Sequence, residues 1–165
     1  DEDTQDVIDG FLTRAKLRMP EKAVYVGVGT KIKDASNIRL SYTRANYALT
    51  YARREEKDIA YFDEMGLYRL IYTSNDDEVL YEMGEMTIAP LIEHDSKHSM
   101  NLEETLYNYL KFEGSVSKVS QEMFIHKNTI AYRMNKIREL LGTDLDSMEV
   151  KTGLYLACLI HRGRA

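Results

Sequence analysis

The sequence predicts an α+β protein: a small, incomplete α/β unit followed by an all-helical one. Three observations carry that expectation. Val24, Val26 and Val28 alternate with Tyr25, Gly27 and Gly29, the period-2 pattern of a strand, and a second short strand reads at 58–62 beyond an intervening helix. After residue 77 every apolar stripe repeats at helical spacing. The charge also divides: residues 1–114 hold 14 basic and 22 acidic side chains (−8) and residues 115–165 hold 8 and 5 (+3), which together make the net −5. The expected organisation is 1–74 as the α/β unit, 75–100 as a helical connector and 101–165 as the helical domain.

Composition bounds the rest. At 165 residues with 44% apolar side chains, the chain has enough material for one ordinary core or two small ones. No apolar run approaches the ~18 residues that cross a bilayer, and no secretory signal opens the chain. It begins Asp1-Glu2-Asp3 without a Met, so a piece of something longer is expected. The lone Cys158 excludes an internal disulfide framework and a Cys-rich zinc site, and points to a reducing cytoplasm.

Along the chain, Val7, Phe11, Ala15 and Met19 form a stripe at i, i+4, i+8 and i+12 over a helix at 6–18, ended by Pro20. The strand at 23–30 has one face of valines and another that lacks side chains at Gly27 and Gly29, which invites close approach of a helix or a ligand. Ala45, Ala48, Leu49 and Ala52 then give a helix over 36–54 whose small-residue face lies close on a sheet. A short helix follows at 64–73 through Leu67, Leu70 and Ile71. Two strands alone make a marginal sheet, so the unit is expected to be incomplete or to borrow strands from another chain. The polar Asn75-Asp76-Asp77 marks the boundary. Helices are expected at 77–86 and 87–94, then a loop over HDSKHS. Asn101 reads as an N-cap with Glu104 three residues on, opening a helix at 102–112 that Gly114-Ser115 ends. A last helix at 148–161 buries Val150, Leu154, Ala157, Cys158 and His161.

The segment 115–141, SVSKVSQEMFIHKNTIAYRMNKIRELL, carries the functional signal. Val116, Val119 and Met123 give a two-turn helix, Phe124-Ile125-His126 a tight turn, and Ile130, Met134, Ile137 and Leu141 a second, longer helix. That is a helix-turn-helix pattern, with 102–112 as its third wall. Off the apolar stripe lie Lys127, Asn128, Thr129, Tyr132, Arg133, Lys136 and Arg138, and the segment holds five basic residues against two acidic ones. A helix in a major groove offers its first turns to base edges, where Asn suits adenine and Arg suits guanine. Ser117 and Lys118 open the shorter helix, placed to hold a phosphate. The same face also fits an ordinary solvated amphipathic helix. Tyr132 reads equally as packing, and His126 as a turn or cap residue.

Other constellations are weaker. His94 and His98 stand four apart, a metal-ligand spacing if helical, but read here as loop with no third ligand. No nucleophile elbow surrounds any Ser, and Cys158 sits mid-stripe like a small core residue. The twelve Tyr are scattered over both halves, as packing residues are. No catalytic residue, metal or cofactor is expected.

IHKNTIAYRMNKIRELLGTDL resembles the C-terminal helix-turn-helix of the PucR/CdaR family of bacterial transcriptional regulators. Ile125, His126, Asn128, Thr129, Ile130, Tyr132, Arg133, Met134, Lys136, Ile137, Gly142, Asp144 and Leu145 carry the likeness. Pro90, Leu91, Asp95, Thr105, Leu106, Tyr109 and Leu110 extend it upstream, and LYLACLI at 154–160 downstream. Val119-Ser120 departs from the Thr-Ala usual there. More weakly, VGVGT, LSYTRANYALTYA and DIAYFDEMGLYRLI resemble the latter part of a degenerate GGDEF-like domain, although the cyclase signature and any Gly-Gly pair are missing. The resemblance implies a cytoplasmic, non-enzymatic regulator that binds double-stranded DNA. It would place the helix at 127–141 in the major groove, through Ser117, Lys118, His126, Lys127, Asn128, Thr129, Tyr132, Arg133 and Lys136. A homodimer is expected, because one short helix spans too few base pairs. The effector is unknown and would be sensed upstream of residue 1. The competing expectation is a protein-interaction or dimerisation module that does not touch DNA.

Overall fold

A computed structural model describes residues 2–74 and 77–164. The chain divides into two compact units, Asp1–Thr73 and Ser74–Ala165. The architecture is α+β, with all the observed strand structure in the first unit.

The first unit runs α1 (Glu2–Arg18), β1 (Val26–Val28), α2 (Ile38–Arg54), β2 (Ile59–Tyr61) and α3 (Tyr68–Thr73). The strands pair in parallel, Val26 with Ile59, Gly27 with Ala60 and Val28 with Tyr61, and α2 is the crossover between them. The glycines of β1 are where they are because α2 lies directly on them. A Cβ added at Gly27 would come within 2.2 Å of the Ala45 carbonyl oxygen, and one at Gly29 within 2.1 Å of the Ser41 carbonyl oxygen. Of the two readings the sequence left open, close helix approach is the observed one. The small face of α2 completes the contact, with Ala48 and Ala52 fully buried.

Two apolar stripes in this unit face the other way from expectation. In α1 the buried residues are Leu12 and Ala15, while Val7 and Phe11 are 68% and 53% exposed and Met19 falls beyond the helix. An i, i+3 pair covers a narrower strip than the i+4 row, and a two-stranded unit offers only a narrow strip to cover. In α3, Tyr68 and Ile71 are buried while Leu67 and Leu70 are exposed. Gly66 takes a left-handed φ of +58°, so the helix starts at Tyr68, and that ring packs on Tyr51 at 4.6 Å between centroids.

The second unit is helical throughout: α4 (Asp77–His98), α5 (Leu102–Lys111), α6 (Val116–Glu122), α7 (Lys127–Leu141) and α8 (Met148–Arg164). Asn75 and Asp76 of the expected polar break lie outside the described residues. The expected pair of helices followed by an HDSKHS loop is instead one 22-residue helix with Pro90 inside it. Proline in a helix interior costs ~3 kcal/mol, but Ile88 and Leu91 on either side of it are fully buried, which offsets that cost. Gly84 lets α4 approach α8 closely, since a Cβ there would lie 2.7 Å from the Ile160 side chain. Because the last turn is helical, His94 and His98 stack at 4.2 Å. Among the described residues no group of three or more His, Cys, Asp or Glu could hold a metal.

The start of α5 also differs. Asn101 adopts φ +54° and its side chain caps nothing. The cap comes from α4: the Asp95 carboxylate accepts the Leu102 N–H at 2.8 Å and the Glu103 N–H at 3.0 Å. A charged acceptor at a helix N-terminus is favoured over an amide by the helix dipole. At the same end of α5, Arg162 of α8 grips Glu103 through two hydrogen bonds of 2.9 and 3.0 Å and lies 4.0 Å over the Tyr107 ring. Leu102, Leu106, Val119, Ile130, Met134, Ile137 and Leu159 close the common core. Cys158 is fully buried among them, and burial, reinforced by the nearby Glu103 carboxylate, pushes its thiol far above the ordinary range. It is an inert core residue. His161 and Val150 are half-buried.

No helix among the described residues is long and apolar enough to cross a membrane.

Candidate nucleic-acid interface

The helix-turn-helix is built by local rules. Ser115 caps α6, its hydroxyl accepting the Lys118 N–H at 3.4 Å. The turn bends through Phe124 at φ +54°, and Ser120 ties it by donating its hydroxyl to the Ile125 carbonyl at 2.6 Å. The departure Val119-Ser120 is thus accommodated: Val119 is fully buried and Ser120 braces the turn. His126 is the N-cap of α7, its Nδ1 accepting the Asn128 N–H at 3.2 Å. Of its two sequence readings, the cap is the one the geometry displays. Gly142 ends the helix at φ +64°, with its N–H on the Arg138 carbonyl.

With Ile130, Met134 and Ile137 turned inward, the outer face of α7 is fixed. Lys127, Asn128 and Thr129 are exposed, and Tyr132 is 61% exposed, so it is not core packing. Ser117 and Lys118 are exposed on the first turn of α6. These side chains can meet an extended partner without any rearrangement. Lys127, Asn128 and Thr129 also surround the end of α7 where backbone N–H groups and the helix dipole favour an anion.

Three cations on the list are engaged within the fold. Arg133 is half-buried, and its Nη1 donates to the Thr105 hydroxyl of α5 at 3.1 Å. Lys136 is half-buried and pairs with Glu139 at 2.9 Å. Arg138 donates to the Asp144 carbonyl at 3.1 Å and to Asn135 Oδ1 at 3.2 Å, so it braces the helix end rather than facing outward. Periodicity placed all three off the apolar stripe correctly. It did not show that arginine stems reach the neighbouring element.

Two positions on the exposed face escaped the sequence reading. Ala131 and Asn135 are both exposed, three and seven residues from Asn128, and so share its side of the helix. The i, i+3, i+7 spacing from Asn128 was the available signal. A small residue at Ala131 permits close approach of a surface between Asn128 and Tyr132.

Residues 102–160 match the PucR C-terminal helix-turn-helix domain. The chain is 25% identical over 160 residues to the proline-responsive transcriptional activator PutR of Bacillus subtilis, covering 95% of this chain and 39% of that protein. It is 26% identical over 144 residues to the DNA-binding transcriptional activator AdeR of the same organism, covering 86% and 34%. To the carbohydrate diacid regulator of Escherichia coli it is 25% identical over 165 residues, covering 99% and 42%. The chain therefore spans about two fifths of the length of these relatives. No solved structure matches it. The helix-turn-helix of residues 102–160 belongs to the PucR C-terminal family, and the chain is related to transcriptional regulators of the PucR/CdaR type.

Proposed function

We propose that this chain is the DNA-binding part of a cytoplasmic, non-enzymatic transcriptional regulator that reads double-stranded DNA with α7 in the major groove. The observation that carries the reading is the outer face of α7: Lys127, Asn128, Thr129 and Tyr132 exposed on a helix whose inner face is fully buried. Asn128 and Thr129 read base edges, Tyr132 packs on a base or sugar, and Lys127 holds phosphate at the helix end. Ser117 and Lys118 fix the register from α6. His126 acts by capping α7, Lys136 approaches phosphate from the flank, and Arg133 acts within the fold. The chain works as a homodimer on a two-fold site. The first unit is the remnant of a GGDEF-like domain that serves dimerisation or signal transmission, and effector sensing lies in sequence upstream of residue 1.

Two substitutions separate base from phosphate contacts. Asn128→Ala is expected to weaken binding to a duplex selected from a random pool by about 1–3 kcal/mol and to relax preference at one base pair. Lys127→Ala is expected to weaken all duplexes alike and to make the salt dependence shallower by about one phosphate contact. Fluorescence anisotropy over a salt series reads both. Equal losses on all sequences from Asn128→Ala would demote it to a backbone contact.

One observation favours a second reading. Val79, Met83 and Met86 stand at i, i+4 and i+7 on α4 and are 50–70% exposed, as expected of a helix that meets a protein partner. A module that only binds protein would show no salt-dependent affinity for duplexes.

A further inference from the structure

We propose that Thr105 is a positioning residue for DNA reading: through Arg133 it fixes the rotation of α7 about its own axis, and so where Asn128 and Tyr132 point. The inference rests on the DNA-reading function proposed above.

The geometry is a relay between two helices. Thr105 is fully buried on α5, and its single hydroxyl hydrogen is given to the Asn101 carbonyl at 2.7 Å. The oxygen's lone pairs are thereby turned to Arg133 Nη1, which donates to it at 3.1 Å. A buried hydroxyl is costly unless it is bonded, and here it is bonded as both donor and acceptor. A valine of the same shape would fill the site without that cost, so packing alone gives no reason for the threonine.

What the bond adds is direction. The buried face of α7 is Ile130, Met134 and Ile137. Apolar burial sets how deep a helix sits but is non-directional, and a methionine adapts to small rotations. A guanidinium is a planar fork with fixed donor directions. Arg133 lies one residue from Tyr132 and five from Asn128, so holding its head group holds the roll of the reading face. Base-edge hydrogen bonds weaken steeply with misalignment. A loosened roll therefore removes discrimination before it removes phosphate attraction.

The platform under Thr105 is itself anchored. Asp95 of α4 caps the first turn of α5 through the Leu102 and Glu103 N–H groups, and Arg162 of α8 holds the Glu103 carboxylate. The hydroxyl that Arg133 meets is thus held in place from α4 and α8 as well as from α5.

The test uses the whole chain, a duplex selected by the wild type from a random pool, and a scrambled duplex. Thr105→Val is expected to lower the ratio of selected to scrambled affinity about tenfold, the discrimination carried by one base contact. Affinity for the scrambled duplex, its salt slope and the melting temperature should stay near wild type. Thr105→Ser, which keeps the hydroxyl, should keep the wild-type ratio. An unchanged ratio in Thr105→Val overturns the proposal. So does a parallel fall of both affinities with the melting temperature, which would make Thr105 merely structural. If Thr105→Val does not fold, Thr105→Ala, which also lacks the hydroxyl, carries the same expectation, and a retained ratio there overturns it. A wild-type chain that prefers no duplex at all would instead sink the DNA reading beneath it.

Discussion

Replacing Ile130 with Asp is expected to unfold the helical unit and abolish DNA binding. Ile130 has no exposed surface, on the inner face of α7 beside Met134 and Ile137. The substitution removes a branched apolar side chain worth about 1.5–3 kcal/mol of burial and puts a carboxylate into that apolar interior. The combined loss is expected to exceed ~4 kcal/mol, comparable to the whole stability of a small domain. Circular dichroism should show a large fall in helix signal at temperatures where the wild type is folded. Tyr132→Asp, two residues on and facing outward, should change stability by no more than ~0.5 kcal/mol. If the two variants melt alike, the inner and outer faces of α7 are wrongly assigned.

Gly27→Ala is expected to be nearly as damaging, in the other unit. Its φ is not in the left-handed region, so backbone strain plays no part. The obstacle is steric: the new methyl would lie 2.2 Å from the Ala45 oxygen and 2.3 Å from the Leu49 nitrogen, both of them backbone atoms of α2. Side chains can swing aside, but a helix backbone must move as a body, lifting Ala48 and Ala52 off the sheet. A cost of about 3 kcal/mol or more is expected. Hydrogen exchange should accelerate at the Ala48–Ala52 amides and stay unchanged at Ile130–Ile137, because the two sets lie in different compact units. Wild-type protection across α2 would mean that it packs on β1 less closely than described.

Much of this was legible in the residues because period and identity agreed. Alternating valines with paired glycines gave β1 and the close helix, and Ile130-Met134-Ile137 gave α7 and its inner face. The failures share a cause: the deciding contact came from a distant element. Asp95 caps α5 from α4, a role local capping patterns assign to Asn101, although Asp95 stood among the residues carrying the family likeness. Pro90 and the polar HDSKHS read as breaks because the burial of Ile88 and Leu91 that holds the helix through them is tertiary. Tyr68 enters the core in place of Leu67 and Leu70 because Tyr51 is there to meet it. In the candidate interface, Lys127, Asn128, Thr129 and Tyr132 were found from the helical pattern alone. The inward turn of Arg133 was not, since nothing in α7 announces a buried hydroxyl on α5.

Docking of the outer face of α7 on duplex DNA would show itself in a salt titration. The chain is titrated against its selected duplex at salt concentrations from 50 to 200 mM, about the range over which phosphate contacts dominate affinity. Log affinity is expected to fall linearly with log salt at a slope of about −0.9 per phosphate contacted, with Lys127→Ala and Lys118→Ala each making it shallower. A flat line, or a slope indifferent to both lysines, would contradict it.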